Sequence, residues 1–378
     1  MGAIKTYYGQ PSYTISNKKV QVFITVQGGH LTALFNNDGK EVNPFFIAPW
    51  WEEARLEGLD EIVNVLRGDF FCFPFGGNEE PYEGKKYPLH GQTSNDNWEV
   101  TGFVNNGEHK AISLTMDLDY DEGSVDKIIS ISESEPVIYN KHIIKNFKGE
   151  MPLGHHPSLQ LPDRPGAGII DISDPVTGYT AVYPVEDPKN GGYSLLRPAC
   201  EISDRSKVPD VFGNTVDLTC YPLQKGFEDI CIFISDIEKD FTYTAISLPE
   251  EGYLYFQLKD PKVLAETLFW MSNGGRHYAP WNGRVVAVLG MEETSSFFHY
   301  GIKASLEDNF FYEKGYRSYC EINGESPFEV KLVMGLIGIE KDFKGVQDII
   351  RKNDSFITII GRGKEKIDVP CRVDFLYE

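Results

Sequence analysis

Polar and apolar residues alternate along much of this chain, which is the pattern of β-strands with one face buried and the other in water. The segment 110–120 is the clearest case, because every second residue from position 112 is apolar: Ile112, Leu114, Met116, Leu118 and Tyr120. The residues between them are Ser, Thr and Asp. This segment therefore predicts a half-buried strand.

Similar short segments follow one another along the rest of the chain. The segments 20–26 and 31–35 are typical of a hairpin around Gly28 and Gly29. Other strands are expected at 127–132, 137–146, 179–184, 229–235, 241–248, 252–258, 266–271, 284–291, 296–303 and 327–339. Many short strands separated by turn residues predict an all-β fold, a large antiparallel β-sandwich with few short helices.

Two segments have helical spacing. Residues 50–66 begin after Pro49 and bring several apolar residues near one face: Leu56, Leu59, Ile62, Val63 and Leu66. Residues 343–352 are the other candidate helix. The sequence has no internal repeat and no Pro/Ser-rich linker, so we expect one continuous domain over residues 1–378. Its first part, residues 1–45, is expected to form a lip or an outer pair of strands.

The charge of the chain excludes some classes of partner. Its 378 residues carry a formal net charge of −20, from 36 Lys and Arg against 56 Asp and Glu. Nucleic acids and anionic membranes are bound through Lys and Arg, so neither is an expected partner. With 41% hydrophobic residues, the chain can build a large core.

The cysteines and the N-terminal segment indicate the compartment. The six cysteines include no C-x-x-C pair and are sparse for a disulfide scaffold, so free thiols are expected. The first residues lack the apolar stretch of a signal peptide, and no apolar run approaches the roughly 20 residues of a membrane span. The sequence therefore predicts a cytoplasmic protein.

The candidate chemistry begins with the loop 87–98, where Pro, Gly, Asn, Asp, His and Trp occur together. Binding groups collect in such loops. His90 is the residue here that can exchange a proton near neutral pH. The alternative interpretation is a structural histidine in a hydrogen-bonded turn.

Two adjacent histidines, His155 and His156, form a second group. Neighbouring side chains of an extended segment point to opposite faces, so at most one of the two enters a given cleft. We therefore do not expect the pair to bind a metal together, and a core histidine beside a surface histidine is the alternative.

A third group is the apolar run 286–289, which is followed closely by Glu292 and Glu293. A carboxylate at the end of a buried strand either lies at a rim in water or points into a cleft. Aromatic residues are abundant near all three groups, and an aromatic face stacks well on a sugar ring, although core packing accounts equally well for many of them.

Taken together, these segments resemble the aldose 1-epimerase, or galactose mutarotase-like, superfamily. Residues 66–76 are similar to the Arg-Gly-Gly-x-Pro-x-x-x-Pro-x-Phe-Gly stretch of the branch that includes hexose-6-phosphate epimerases. Residues 90–98 are similar to the His-Gly-Phe-x-Arg-x-x-x-Trp stretch that follows, and 154–157 to the Gly-x-His-Pro segment. Residues 289–292 are similar to the strand that ends in the catalytic glutamate. The resemblance spans residues 60–300 and implies a galactose mutarotase-like supersandwich.

The resemblance also implies an isomerase that interconverts the α and β anomers of an aldose by opening the sugar ring. Glu292 would accept the proton of the anomeric hydroxyl, and His156 would protonate the ring oxygen. His90 would hydrogen-bond the substrate, a monosaccharide or short sugar. The implied reaction needs no metal and no organic cofactor.

Other residues would bind the substrate. Arg67 and Trp98 would orient the sugar, and Glu228 or Asp229 would take the place of the family's sugar-binding aspartate. Ser94 stands where the sugar-phosphate branch has Arg. Because a guanidinium is the usual bidentate partner of a phosphate, a non-phosphorylated aldose is expected.

Other functions remain open on the sequence alone. One is a carbohydrate-binding protein of the same fold without turnover. Another is a carbohydrate-cleaving hydrolase or lyase, and a hydrolase needs a second carboxylate. The segment after Trp50 offers such carboxylates, or they form a solvated helix face: Glu52, Glu53, Glu57 and Glu61. A metal enzyme is disfavoured because five of the eight histidines are scattered along the chain: His30, His90, His109, His142 and His299.

Overall fold

The computed structural model describes residues 4–378, and its strands pair antiparallel. The N-terminal strands are β1 (Lys5–Tyr7), β2 (Gln10–Ser16), β3 (Val20–Thr25), β4 (Leu31–Asn37) and β5 (Lys40–Val42). They are followed by α1 (Glu61–Val65), β6 (Phe71–Cys72), β7 (Glu99–Asn105), β8 (His109–Asp117), β9 (Ser124–Ser132), β10 (Val137–Lys145), β11 (Gly149–Met151), β12 (Leu153–His155) and β13 (Ser158–Gln160).

The middle of the chain contains β14 (Gly168–Ile172), β15 (Thr177–Thr180), β16 (Glu201–Ile202), β17 (Val208–Pro209), β18 (Thr215–Val216), β19 (Cys220–Tyr221), β20 (Phe227–Ile234), β21 (Thr242–Leu248), β22 (Tyr253–Lys259), β23 (Glu266–Asn273) and β24 (Val288–Ser295). The C-terminal elements are α2 (Ile302–Leu306), α3 (Phe310–Lys314), β25 (Cys320–Ile322), β26 (Phe328–Gly338), β27 (Val346–Asn353), β28 (Phe356–Gly361) and β29 (Lys366–Pro370).

Two large sheets form the body of the fold. Sheet A has the strand order β19-β14-β21-β22-β26-β10-β9-β8-β7. Sheet B has the order β16-β15-β20-β23-β24-β12-β6, and β13 also pairs with β24. Four smaller sheets accompany them: sheet N is β1 to β5, sheet C is β27 to β29, and the pairs β11-β25 and β17-β18 form two-stranded sheets.

The inner faces of sheets A and B pack on each other, as expected for a β-sandwich. The shared core contains Ile129 and Leu332 from sheet A and Phe269 and Leu289 from sheet B. Apolar residues of sheet N, such as Val22, join the same core. The all-β sandwich predicted from the alternation is therefore confirmed, and the N-terminal segment forms a five-stranded sheet rather than an outer pair of strands.

The outer faces of the two large sheets are covered differently. Sheet C packs on sheet A, where Ile357 and Ile359 meet Leu254 and Phe256. On sheet B the cover comes from the segment around α1 and from α2 and α3, which leave part of this face accessible. The candidate site lies there.

Several element predictions were wrong for identifiable reasons. Most of the predicted helix 343–352 lies in strand β27 instead, because a short apolar run is ambiguous and here pairs with β28. Of the predicted helix 50–66, residues 61–65 are helical, and Gly58 with φ of +77° interrupts the rest. The predicted strand 296–303 contains a turn, where Phe298 has φ of +51°, and the start of α2.

The remaining strand predictions lie on observed strands, although 179–184 ends early at residue 180 and 284–291 begins late at residue 288. All six cysteines are free, and residues 4–378 contain no helix of the length and apolarity that crossing a membrane requires. The assignment of the whole chain to one domain stays a prediction.

Sheet C should contribute strongly to stability through its buried face. Ile359→Ala is expected to lower the free energy of unfolding by about 2–5 kcal/mol, because it opens a cavity against sheet A. Ile350→Ala, on a side chain that is 42% exposed in β27, is the matched control and should cost roughly 0.5 kcal/mol or less. Urea unfolding of both variants measures the difference, and equal losses would contradict the packing of sheet C.

Candidate active site

A cavity of about 170 Å³ lies on the outer face of sheet B. Most of its wall is apolar, with a small set of polar side chains among the apolar ones: His90, His156, Arg276, Glu292 and His299. An enclosed apolar site with a few convergent polar groups is the usual form of a small-molecule binding site.

Strand β24 places the carboxylate of one glutamate in the cavity wall and that of the next glutamate on the opposite face of the sheet. Glu292 lies on the outer face of sheet B, whereas Glu293 lies on the inner face, because successive side chains of a strand alternate. There Glu293 pairs with Lys259 at 2.5 Å. It also accepts hydrogen bonds from Gln257 and Thr267. Glu293 is therefore bound within the sandwich, and Glu292 is the carboxylate that faces the cavity.

Gly290 makes room for the Glu292 carboxylate two residues along the same strand. A Cβ atom at position 290 would lie 2.6 Å from Oε1 of Glu292 and 2.9 Å from Cβ of Trp270. Trp270 is the cross-strand neighbour of Gly290 on β23. Any larger residue at position 290 would therefore push the carboxylate away from its observed place.

The two adjacent histidines point in opposite directions, as the alternation of an extended segment predicts. His155 faces the sandwich interior, where its Nδ1 lies 3.1 Å from Oδ2 of Asp69. His156 lines the cavity, and its Nδ1 lies 3.2 Å from Oγ of Ser158. The backbone N–H of His156 donates to Asp69 Oδ1 at 3.1 Å. This hydrogen bond stabilises the backbone turn that directs the His156 side chain to the cavity.

Glu292 and His156 form a close pair at the base of the cavity. Nε2 of His156 and Oε1 of Glu292 are 3.1 Å apart, with side chains 8% and 2% exposed. The contact is not aligned as a hydrogen bond, so within residues 4–378 Oε1 of Glu292 has no hydrogen-bond partner. A buried acceptor without a partner is costly and is available to a ligand.

Burial sets the protonation preference of this pair. It raises the pKa of Glu292 well above its ordinary value and lowers the pKa of His156 to about 3. Both shifts favour the neutral forms, because a low dielectric disfavours charge. Burial thus favours the proton of this pair on the Glu292 carboxyl group rather than on the His156 ring.

His90 completes the group of titratable residues. Its ring lies edge-on to His156, with 5.0 Å between ring centroids. Its Nδ1 accepts a hydrogen bond from the backbone N–H of Gly76 at 3.3 Å. Burial, followed by the proximity of His156 and His299, lowers the pKa of His90 well below its ordinary value. A neutral ring that accepts at Nδ1 carries its proton on Nε2, so His90 is a hydrogen-bond donor.

Arg276 is the cation of the cavity wall. Its Nε donates to Oε1 of Glu186 at 2.6 Å and lies 3.5 Å from Oε1 of Glu228. Its guanidinium lies over the rings of Trp281 and Trp270, 4.5 and 5.8 Å from their centroids. Burial alone would lower the pKa of Arg276, but the two carboxylates raise it above its ordinary value. The guanidinium is thus fixed by two acids and two aromatic faces.

Glu228 and Asp229 lie on opposite faces of β20. Glu228 is fully buried beside the cavity, where it accepts hydrogen bonds from Trp270 Nε1 and Ser272 Oγ. Asp229 faces the sandwich interior and accepts from the backbone N–H of Leu195 at 3.0 Å. Of these two predicted binding residues, Glu228 lies next to the cavity, and it acts there by holding Arg276 and Trp270.

Arg67 and Trp98 lie outside the cavity wall. The guanidinium of Arg67 is enclosed by backbone carbonyl groups of Tyr7, Tyr8 and Val65, to which it donates. The indole N–H of Trp98 donates to a backbone carbonyl in its own loop, and its ring is buried in the sandwich core. Both residues therefore stabilise the loops around the site, and the structure does not bring them to the other predicted residues.

The sequence reasoning missed Arg276, Trp281 as a wall residue, and His299. Arg276 follows β23 just after two glycines. Every second residue of an extended segment lies on the same face, so continuing from Trp270 in steps of two residues places Arg276 on the same face as Trp270. Tryptophans close to an arginine near the end of a strand form a sequence pattern from which this part of the cavity wall could have been predicted. Within residues 4–378, no cluster of three or more His, Cys, Asp and Glu side chains is arranged to hold a metal ion.

Comparison with solved structures identifies the fold. The chain is similar to the Slr1438 protein from Synechocystis, with 13% identity, coverage of 90% of this chain and 99% of that chain, and a TM-score of 0.58. It is also similar to a galactose mutarotase-like protein from Clostridium acetobutylicum, with 10% identity, coverage of 89% and 98%, and a TM-score of 0.57.

A third similar structure is a galactose mutarotase related enzyme from Lactobacillus acidophilus, with 14% identity, coverage of 87% and 98%, and a TM-score of 0.54. No protein-family model matches the chain, and no curated protein sequence matches it. The likeness is therefore one of fold, and it confirms the galactose mutarotase-like fold that the sequence motifs predicted.

The buried Glu228 carboxyl should leave a pH signature in stability. Burial raises its pKa from 4.5 to about 7, against the opposing effect of Arg276. Between pH 4.5 and 7 the unfolded chain has released this proton while the native chain keeps it. The stabilisation is therefore complete below pH 4.5 and is lost as the pH rises through 7. In Glu228→Gln, the decline in the free energy of unfolding over this range should be smaller by about 3 kcal/mol. Urea unfolding at several pH values measures it, and parallel curves for the two proteins would contradict the protonated state.

Proposed function

We propose that this chain, which has the galactose mutarotase-like fold, is an aldose 1-epimerase that interconverts the α and β anomers of a non-phosphorylated aldose. The observation that supports it best is the contact between Glu292 and His156 in a largely apolar cavity. Anomer exchange needs one proton acceptor and one proton donor, and this pair supplies both.

The proposed reaction opens and closes the sugar ring. Glu292 accepts the proton of the anomeric hydroxyl while His156 donates a proton to the ring oxygen, so that the bond between C1 and the ring oxygen breaks and an aldehyde forms. Rotation about the C1–C2 bond presents the other face of the aldehyde. Ring closure then reverses the two proton transfers, and the pair returns to its starting state.

The shared proton must lie on His156 when the ring opens. Burial by itself favours it on Glu292 instead. A bound sugar changes this balance, because its hydroxyl groups donate to the unpartnered Oε1 of Glu292. Hydrogen bonds to the ionised form lower the pKa of a carboxyl group. Substrate binding therefore moves the proton to His156 and prepares the acid and the base together.

Three further residues fit the binding of a sugar. His90 would donate from Nε2 to a substrate oxygen beside His156. Arg276 would donate from its terminal nitrogens to hydroxyl groups, since its Nε is occupied by Glu186. Trp281 would stack on the C–H face of the ring. These roles replace those that the sequence resemblance implied for Arg67 and Trp98.

The electrostatics of the wall support a substrate without a phosphate group. Arg276 is the lining cation among the described residues, and its Nε already pairs with Glu186 at 2.6 Å. Ser94 is buried and directs its hydroxyl group to backbone carbonyls of its own loop. A phosphate in this cavity would thus find no guanidinium that lacks a carboxylate partner.

A carbohydrate-cleaving reaction is less well supported. Hydrolysis needs two carboxylates on either side of one bond, and within residues 4–378 the cavity wall contains the single carboxylate of Glu292. Of the acidic residues near Trp50, Glu53 is paired with Arg284 and Glu61 with Arg55. Sugar binding without turnover is distinguished from epimerisation by the measurement below.

Loss of the proposed base should abolish most of the activity. Glu292→Gln keeps the size of the side chain and removes its ability to accept a proton. We expect anomer exchange of fresh α-glucose, α-galactose or a related aldose to slow by about 10²-fold or more. Polarimetry or NMR exchange measures the rate. Full activity in Glu292→Gln would overturn the assignment, and binding without exchange in the wild type would indicate a binding protein.

Glu293→Gln is the matched control, because it makes the same change on the opposite face of the strand. It leaves Lys259 without its buried partner, so it should lower stability. The rate per folded molecule, with the folded fraction taken from circular dichroism, should stay near that of the wild type. A loss as large as that of Glu292→Gln would show that the two carboxylates are not separated in function.

The position of the base depends on the absence of a side chain at residue 290. In Gly290→Ala the new methyl group would displace the Glu292 carboxylate. We expect kcat for anomer exchange to fall by about tenfold or more, since even a small misplacement of a reacting group is costly. Unchanged kcat, with an unchanged unfolding curve, would contradict the observed place of Glu292.

A further inference from the structure

A second cavity of about 600 Å³ adjoins the first one. The two share Gly77 and His299 as lining residues, so these two residues lie on the boundary between them. We call them the inner lobe, which holds Glu292 and His156, and the outer lobe. The inner lobe is small and mostly apolar, whereas the outer lobe is larger and has more polar residues in its wall.

One side of the outer lobe is aromatic. Tyr300 packs against Phe297 and Tyr183, with ring centroids 5.8 and 6.1 Å apart. The hydroxyl group of Tyr300 accepts a hydrogen bond from the backbone N–H of Tyr183, which fixes the two segments to each other. The Tyr183 residue is 69% exposed, although it lines the lobe. An exposed aromatic face next to a binding cavity suits the stacking of a sugar ring.

The other residues of the outer lobe determine the charge that it accepts. Its wall contains four carboxylates: Glu79, Glu80, Glu307 and Asp308. The lysine of this wall, Lys303, is paired with Glu80 at 2.5 Å. Excess negative charge repels phosphate, sulfate and uronate groups, while carboxylates readily accept hydrogen bonds from hydroxyl groups. The outer lobe is therefore suited to a neutral, hydroxyl-rich ligand.

His299 lies where the lobes meet. Its Nδ1 is buried and has no hydrogen-bond partner among the described residues. Its backbone carbonyl accepts from the N–H of Gly77 at 2.8 Å, so the ring is held at the junction by the main chain. Burial, with a contribution from Arg276, lowers the pKa of His299 to about 4. A neutral imidazole at this place can hydrogen-bond a linkage oxygen or a hydroxyl group between two rings.

We propose that the preferred substrate is a neutral disaccharide or longer oligosaccharide, bound with its reducing-end ring in the inner lobe and the next ring in the outer lobe. This proposal rests on the proposed epimerase function and specifies its substrate class. It is consistent with the chemistry, because only the reducing-end ring of an oligosaccharide can open. That ring would present C1 and its ring oxygen to Glu292 and His156, and its linked carbon toward His299.

The test compares sugars that share a reducing-end ring. Anomer exchange is measured for glucose against maltose, cellobiose and lactose, and for galactose against β-1,4-galactobiose, with wild type and two variants. We expect the kcat/KM of at least one disaccharide to exceed that of the monosaccharide at its reducing end by about tenfold. Tyr183→Ala should reduce this ratio by roughly three- to tenfold, which corresponds to the free energy of one aromatic contact. Tyr312→Ala is the matched control, because Tyr312 is also 69% exposed and lies outside both lobes.

The outcomes separate the two proposals. Exchange of monosaccharides with no advantage for any disaccharide would overturn the role of the outer lobe and leave the epimerase function standing. Absence of exchange on every sugar would overturn the epimerase function itself. A disaccharide preference that survives Tyr183→Ala, or that falls equally in Tyr312→Ala, would overturn the location of the second ring.

Discussion

The Asp69 carboxylate is the buried charge on which three parts of the molecule converge. It accepts hydrogen bonds from Asn140 of sheet A at 2.8 Å and from the backbone N–H of His156, and it lies 3.1 Å from the His155 ring. Its own backbone exchanges two hydrogen bonds with Leu31 of sheet N. Burial alone would raise the pKa of Asp69, but its neighbours, foremost His155, hold it below the ordinary value. The ionised group thus joins both large sheets and sheet N directly behind the cavity.

This arrangement explains a departure from the family pattern. Asp69 occupies the position of the second glycine in the Arg-Gly-Gly stretch that residues 66–76 resemble. A carboxylate here is tolerated because every partner that it needs is supplied by neighbouring strands, and a buried charge is stable only when it is paired and hydrogen-bonded. One consequence is a fixed turn at His156, and the acid of the proposed reaction is therefore positioned by the fold rather than by the ligand.

The sequence was sufficient for the fold and for part of the site. Alternation identifies strands and separates Glu292 from Glu293, but it does not say which face of a sheet carries the cavity. Motif order supplied that information for His90, His156 and Glu292. It failed for Arg67, whose guanidinium is taken up by backbone carbonyls some 60 positions earlier in the chain. Such a long-range contact leaves no local pattern.

The cover that sheet C provides has a consequence for protein engineering. Strands β21 and β22 are buried on both faces, so they lack the alternation of a half-solvated strand. A shortened protein without sheet C would expose a continuous apolar surface around Leu254 and Phe256, although the residues that line the candidate site would all be present. Large exposed apolar patches promote association. Such a fragment is therefore expected to aggregate because sheet A has lost its cover, and a soluble shortened protein would need polar replacements on this face.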